Sequence, residues 1–391
     1  MGWPTKNIGE LCEILDSKRK PITKKDRVKG PYPYYGATGI LDYVEGYLFD
    51  EDLVLIGEDG AKWGAGDNSA FSITGKTWIN NHVHVLKPNR DILLDAWLIY
   101  YLNAQDLSAF ISGMTVPKLN QGRLREVTVP IPPLPEQKLI VSILDQAFAY
   151  IEKARALTEQ NLKNARELFE SYLQQVFSQR GEQWTIEPLE NVVTEDCTLS
   201  YGIVQPGDDV PGGLPVVRPT DLTNEVINLE GLKQIDSLKA EGYMRTLLQG
   251  GELLVCVRGS TGTTSIASEE LSGANVTRGI VPIRFNSEKI SPRFGYYQFI
   301  SPAIQNQIQA GTYGAALMQI NIRDLRKLKV RVPSLEVQRK ITDQLDSIKP
   351  DLERIEAIYS AKLNAFEDLR SSLLKKAFSG ALTTNNGEAI A

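Results

Sequence analysis

The sequence predicts an α+β protein: two β-rich modules separated by two long antiparallel coiled-coil helices, built as a pseudo-two-fold internal duplication. Three observations predict it. Residues 124–178 align with 325–379 at a constant offset of 201, without a gap, and a repeat held at one offset fixes the architecture. Each copy carries a long apolar stripe at helical spacing. The segments before the stripes are rich in short, wholly apolar runs bounded by glycine and polar turns.

The duplication is legible residue by residue. Leu124-Arg125 returns as Leu325-Arg326, and Val129, Pro132, Leu134, Gln137 and Ile140 return as Val330, Pro333, Leu335, Gln338 and Ile341. Leu144-Asp145 reappears as Leu345-Asp346, and Phe177-Ser178 as Phe378-Ser379. A fainter echo links Trp3 to Trp184, each opening a new segment. The expected plan is a first module over 1–134, a first helix over 135–183, a second module over 184–334, a second helix over 335–380 and a polar tail over 381–391.

Each helix follows a proline-punctuated stop, and proline suits the first turn of a helix but not its interior. The second helix places Ile341, Leu345, Ile348, Leu352, Ile355, Tyr359, Phe366, Leu369 and Leu373 at steps of three and four. That is a coiled-coil seam. The first helix has Ile140, Leu144, Ala147, Ile151, Ala154, Ala165, Leu168 and Tyr172 at the matching positions. Pro350 predicts a kink in the second helix. Each stripe needs a partner, and the other copy supplies one; a pseudo-two-fold axis then makes the pair antiparallel, with the modules at opposite ends of a rod of roughly 65 Å.

Within the modules, Asp52-Leu-Val-Leu-Ile56 and His82-Val-His-Val-Leu86 read as strands. Glu252-Leu-Leu-Val-Cys-Val257 and Ile280-Val-Pro-Ile-Arg-Phe285 are their counterparts. Aromatic-rich helical stretches follow at 96–102 and 294–300. The modules share a scaffold while their loops differ throughout, which suggests two related sites reading different targets.

Composition narrows the function classes. The chain of 391 residues carries 43 basic and 48 acidic side chains, a net charge of -5, so it is no polycation. No apolar run approaches the roughly 20 residues of a membrane span. Three separated cysteines, Cys12, Cys197 and Cys256, fit a reducing compartment. The expectation is a soluble, cytoplasmic protein.

Two motifs invite chemistry and fall short. Gly75-Lys76-Thr77 looks like a relaxed phosphate loop, yet Trp78-Ile-Asn-Asn-His continues as strand, where that loop needs a helix N-terminus. His82 and His84 share a strand face without enough neighbouring ligands for zinc. No recurring carboxylate constellation, nucleophile elbow or Asn-Pro-Pro-Phe-type methyltransferase motif is present. We therefore expect a non-catalytic chain, with no metal and no cofactor. Nucleic-acid features are duplicated instead. The first module offers Lys18, Arg19, Lys20, Lys24, Lys25, Arg27 and Lys29, then Tyr34, Tyr35, Thr38 and Lys62. The second offers Arg218, Thr220, Arg258, Ser260, Thr261, Thr263 and Arg278. Lys and Arg hold phosphates, and Arg can bind guanine through two hydrogen bonds.

This layout resembles the specificity subunit of type I restriction–modification systems. The residues that carry the resemblance are Ile131-Pro-Pro-Leu-Pro-Glu-Gln137 and Val332-Pro-Ser-Leu-Glu-Val-Gln338 with their helices, Trp3 and Trp184, Pro33-Tyr-Tyr-Gly-Ala-Thr-Gly-Ile40 and Val217-Arg-Pro-Thr-Asp-Leu222. Val337 stands where the first copy has Glu136, and Pro350 has no counterpart. The resemblance implies two target-recognition domains, each binding half of a bipartite double-stranded DNA target, with the helices as a ruler between them. It also implies methyltransferase (modification) subunits and restriction/translocase subunits as partners that hold the chemistry. The rival readings are a self-standing two-module DNA-binding protein and a nucleotide-dependent enzyme built on Gly75-Lys76-Thr77.

Overall fold

The computed structural model describes residues 2–178, 184–314 and 317–384. Two compact units result: one combines residues up to Glu159 with those from Ser360 onward, the other is Gln160–Tyr359. Each long helix therefore contributes one half to each unit.

In the first unit, strands Cys12–Ile14, Val83–Pro88, Leu53–Gly57 and Ala70–Ile73 form an antiparallel sheet in that order. The run Leu53-Val-Leu-Ile56 is wholly apolar because both faces of this strand are covered. Val54 and Ile56 pack with Trp97 and Leu98 of helix Asp95–Ala104. Leu53 and Leu55 pack with Phe49, Ile73 and Ile79 beneath a second sheet. That sheet runs Gly39–Val44, Lys29–Gly36, Lys76–Ile79, Phe49–Asp50.

The second unit repeats the arrangement. Its main sheet runs Val226–Ile227, Thr264–Ala267, Leu253–Cys256, Ile280–Ile283. Leu253, Val255 and Val257 face the core under helix Pro292–Ile300, while Leu254 and Cys256 face the other way. The second layer here is smaller, three strands over Lys233–Ile235, Leu214–Val217 and Asn275–Val276.

Each module is closed by pairing its first strand with its last: Thr5–Asn7 with Thr128–Pro130, and Thr185–Pro188 with Lys329–Val332. The chain then enters the long helices, Leu134–Ser178 and Leu335–Phe378. A buried glutamine docks each helix start. Gln137 accepts from the Leu94 amide at 2.9 Å and donates to the carbonyls of Ile92 and Pro132 at 2.8 Å. Gln338 makes the same three bonds, to Ser291, Lys289 and Pro333. Leaving such buried groups unpaired would cost about 1–3 kcal/mol.

Inside the first unit the helix halves run antiparallel: Glu136, Glu152 and Arg155 meet Thr383, Arg370 and Glu367 in descending order. The end of the second helix is locked there by aromatic contacts. Phe378 lies 4.9 Å from Trp97 and 5.1 Å from Tyr101, and Trp3 packs edge-on to Trp97. In the second unit Phe177 plays the same part, 5.4 Å from Phe294, with Trp184 on the other side of that ring. The second helix continues through Pro350 without ending. Of the expected polar tail, Ala381–Thr384 forms a short helix and the rest lies outside the described residues.

Candidate nucleic-acid interface

The two modules share one loop frame. A turn leaves the central strand and is bridged to a hairpin, Asp59 to Lys118 in the first module and Arg258 to Gln319 in the second. Equivalent backbone bonds fix it: Leu119 N to Glu58 O at 2.8 Å, Ile320 N to Val257 O at 3.0 Å. Each hairpin tip turns on a glycine with positive φ, Gly113 and Gly314, where a Cβ would meet a carbonyl oxygen at 2.4 Å. What the frame carries differs between the two.

In the first module it carries a buried charge cluster. Glu58 accepts from Arg19 at 2.5 Å and pairs with Lys118 at 2.8 Å. Asp16 meets His84 Nδ1 at 2.6 Å and accepts from Gln121 and the Val85 amide at 2.9 Å. His84 is fully buried, and its Nε2 faces the Leu119 carbonyl at 2.7 Å. Both ring nitrogens thus face acceptor oxygens. Burial pushes the Asp16 carboxyl up, but the hydrogen bond and charge of His84, with Gln121 and Val85, outweigh it and hold it below its ordinary value. Glu58 is likewise lowered against its burial, by Lys118 and Arg19. Asp16, Glu58 and His84 bring possible metal-ligand atoms within 4.8 Å of one another. Arg19 and Lys118 already supply the cations that answer these carboxylates, so the cluster reads as a closed ion network.

That network corrects part of the sequence reading. Arg19 is committed to Glu58, Asp16 and the Val83 carbonyl, and its side chain is only 13% exposed. Tyr34 is buried, its hydroxyl bonded to the backbone of Ile22, so it faces the core and not a ligand. Arg27 stacks 4.4 Å over the Tyr34 ring and pairs with Asp42. These three anchor the basic segment; Lys18, Lys20, Lys24, Lys25 and Lys29 are the residues it presents to solvent. Trp78 adds a clamp, its indole donating to the Lys20 carbonyl at 2.6 Å. Tyr35 is half-buried, 6.0 Å from Phe71, and burial raises its hydroxyl. Thr38 is exposed on the Gly36–Gly39 turn. That turn abuts the loop carrying Lys62, for a Cβ on Gly57 would lie 2.4 Å from Ala61 and 3.2 Å from the Ala37 carbonyl. Lys76, which the sequence offered only as part of a relaxed phosphate loop, sits exposed 4.8 Å over the Tyr47 ring. Thr77 beside it is buried in a strand, which removes the helix N-terminus a phosphate loop requires.

In the second module the frame gathers the predicted residues. Val257 donates to the Gly279 carbonyl, and a Cβ on Gly279 would meet Pro219 at 2.4 Å and the Arg258 carbonyl at 3.7 Å. The segments bearing Arg218–Thr220, Arg258–Thr263 and Arg278 are therefore neighbours. Thr261 donates to the Met318 carbonyl at 3.1 Å, tying the turn to the hairpin. Ser260 and Thr263 close the turn by a 3.1 Å backbone bond. Arg218 is the exception, held by Asp221 through two nitrogens at 2.8 and 3.1 Å. Arg278 lies 5.9 Å over Tyr201, and neither Arg258 nor Arg278 has a carboxylate partner among the described residues. Gln319, opposite Arg258, was not singled out; the 201 offset from Lys118 was the signal that could have found it.

Two loop faces of different chemistry on one duplicated frame define a two-headed recognition protein. The family model for the type I restriction modification DNA specificity domain matches residues 1–160 and 205–361, and the chain belongs to that family. Its role is DNA sequence specificity. The chain is 26% identical over 366 residues to the EcoBI specificity subunit of Escherichia coli, covering 87% of this chain and 75% of that one. It is 29% identical to a putative type I specificity subunit of Haemophilus influenzae, covering 88% and 87%. Among solved structures, the HsdS subunit from Thermoanaerobacter tengcongensis matches with a TM-score of 0.52 at 17% identity, covering 97% of each chain. A chain from a structure concerning assembly and conformational transition of the type I R-M system matches at 0.73 and 18% identity, covering 97% and 98%. No helix of the described residues is long and apolar enough to cross a membrane.

Proposed function

We propose that each module, 1–134 and 184–334, reads one half of a bipartite double-stranded DNA target, and that the two long helices set the gap between the halves. The observation that carries this reading is the shared turn-and-hairpin frame bearing different charge, an acid–base pair, Asp59 with Lys118, against a single cation, Arg258 with Gln319. In the first half-site Lys18, Lys20, Lys24, Lys25, Lys29 and Lys62 hold phosphates, with Tyr35 and Thr38 beside them. In the second, Arg258 and Arg278 supply guanine-type readers, with Thr220, Ser260, Thr261 and Thr263 around them.

Catalysis belongs to partners in this reading: methyltransferase subunits, and restriction/translocase subunits for cleavage, acting in the cytoplasm. Two equivalent apolar patches support docking of two like subunits. Leu157 and Leu369 are exposed in the first unit, and their 201-offset mates Ile358 and Leu168 are exposed in the second, so Leu168 and Leu369 lie outside the seam to which the sequence assigned them.

The test is methylation of a random-sequence DNA library by the methyltransferase with and without this chain. Methylated adenines confined to one split motif of fixed gap, only when the chain is present, are the expected result. Removing one heptad from each long helix, about 10.5 Å, should then shorten the gap by about 3 bp. No added selectivity, or an unchanged gap, would contradict the reading.

A further inference from the structure

The long helices are copies, yet at two equivalent positions they carry opposite charge. The first helix has Arg155 and Arg166; the second, 201 residues on, has Glu356 and Glu367. In the first unit Arg155 Nη1 donates to Glu367 at 2.8 Å. In the second unit Arg166 Nε donates to Glu356 at 2.9 Å. Substituting equivalents shows what other pairings would bring together. Two first helices paired in this register would set Arg155 against Arg166, and two second helices would set Glu356 against Glu367. Only unlike helices gain two Arg–Glu pairs.

Towards the helix ends the apolar faces make no such distinction. Ile140, Leu144, Leu173 and Phe177 of the first helix are matched by Ile341, Leu345, Leu374 and Phe378 of the second. At those positions hydrophobic packing would accept like helices nearly as well as unlike ones; between them the helices differ, with Ala147, Ala154 and Ala165 standing where the second has Ile348, Ile355 and Phe366. A duplicated chain is thus exposed to exchange of helices with a second copy of itself, and charge adds to side-chain size in separating the alternatives.

We propose that Arg155–Glu367 and Arg166–Glu356 form a pairing code, by which the first long helix accepts the second helix and rejects a copy of itself. The inference concerns assembly of the chain and does not rest on how its modules read DNA.

Full-length charge reversals test it directly. R155E/R166E places glutamates at all four positions, the charges two second helices would bring together. E356R/E367R places arginines there, as two first helices would. Each double variant should melt roughly 3–6 °C below the parent in low salt, and the deficit should shrink in about 1 M salt. The quadruple variant R155E/R166E/E356R/E367R restores opposite charges and should regain most of the loss. A quadruple variant melting as low as the doubles, or doubles melting with the parent, would overturn the proposal. If charge reversal blocks folding of all three, the glutamine set decides: R155Q/R166Q and E356Q/E367Q combined should lose less than the sum of the two, and strict additivity would overturn it.

Discussion

The two modules fold around the same frame but fill it with different chemistry. Opposite Ile56 the first module places His84; opposite Val255 the second places Val281. Glu58, whose carbonyl receives the hairpin amide, is matched by Val257, and Gln121 by Ile322. One module thus buries an ion network where the other buries aliphatic side chains. The same substitution of character reaches the turn after the central strand, where Asp59 stands at the position that Arg258 holds in the second module. The network removes Arg19 and Glu58 from recognition and spends them on holding the basic segment. In the aliphatic version Arg258 and Arg278 have no carboxylate partner among the described residues. An ion network at this place is not required for the fold, since the second copy has aliphatic side chains there and buries its own pair, Arg284 with Glu252, elsewhere; in the first its use is to fix the position of charged segments.

The largest expected effect comes from breaking that asymmetry. Glu58→Val gives the first module the second module's residue but strands Arg19 and Lys118, and should cost about 3–5 kcal/mol in urea unfolding of the first unit. Val257→Ala, the aliphatic counterpart, should cost less, about 1–3 kcal/mol. Equal losses would mean that the network contributes only packing.

Gln137→Leu and Gln338→Leu sharpen the comparison from the other side, because here the copies are alike. Each should cost about 1–3 kcal/mol by orphaning one amide and two carbonyls, and unequal losses would break the equivalence of the helix starts. Acid supplies a further contrast. Asp16 and Glu58 are held below their ordinary values in the folded state. Their stabilisation is complete above the unfolded values, about 3.9 and 4.3, and is lost as pH falls through the lower folded ones. Unfolding followed below about pH 4 should therefore show a steep loss that Asp16→Asn flattens. The smallest effect is expected from Lys24→Ala, a phosphate-type contact. In the complex with its methyltransferase it should reduce the salt slope of DNA binding by about one and leave the motif unchanged.

Much of this was legible in the sequence where the cause is local or periodic. The 201 offset, the apolar runs at 53–56 and 253–257 and the helical stripes depend on spacing alone, and the structure places elements at each. Pro350 lies inside the second helix without ending it, since one missing N–H is tolerated in a long, packed helix. The site was less legible. Lys18, Arg19 and Lys20 look alike in sequence, yet Arg19 finds Glu58, 39 positions away, and turns inward. Tyr34 and Tyr35 differ only in which face of a strand they occupy. Whether a cation is free or spent is settled by a partner distant in the chain, and no local pattern records that partner.

The central claim is that one frame presents two independent readers. Its most direct test is the sequence profile of methylated random DNA for the Arg258→Ala chain with its methyltransferase, compared with the parent. Selectivity at a position in one half of the motif should relax by about 1–3 kcal/mol, roughly 5–150-fold, while the other half and the gap stay as they were. Relaxation of both halves, or of neither, would contradict the account.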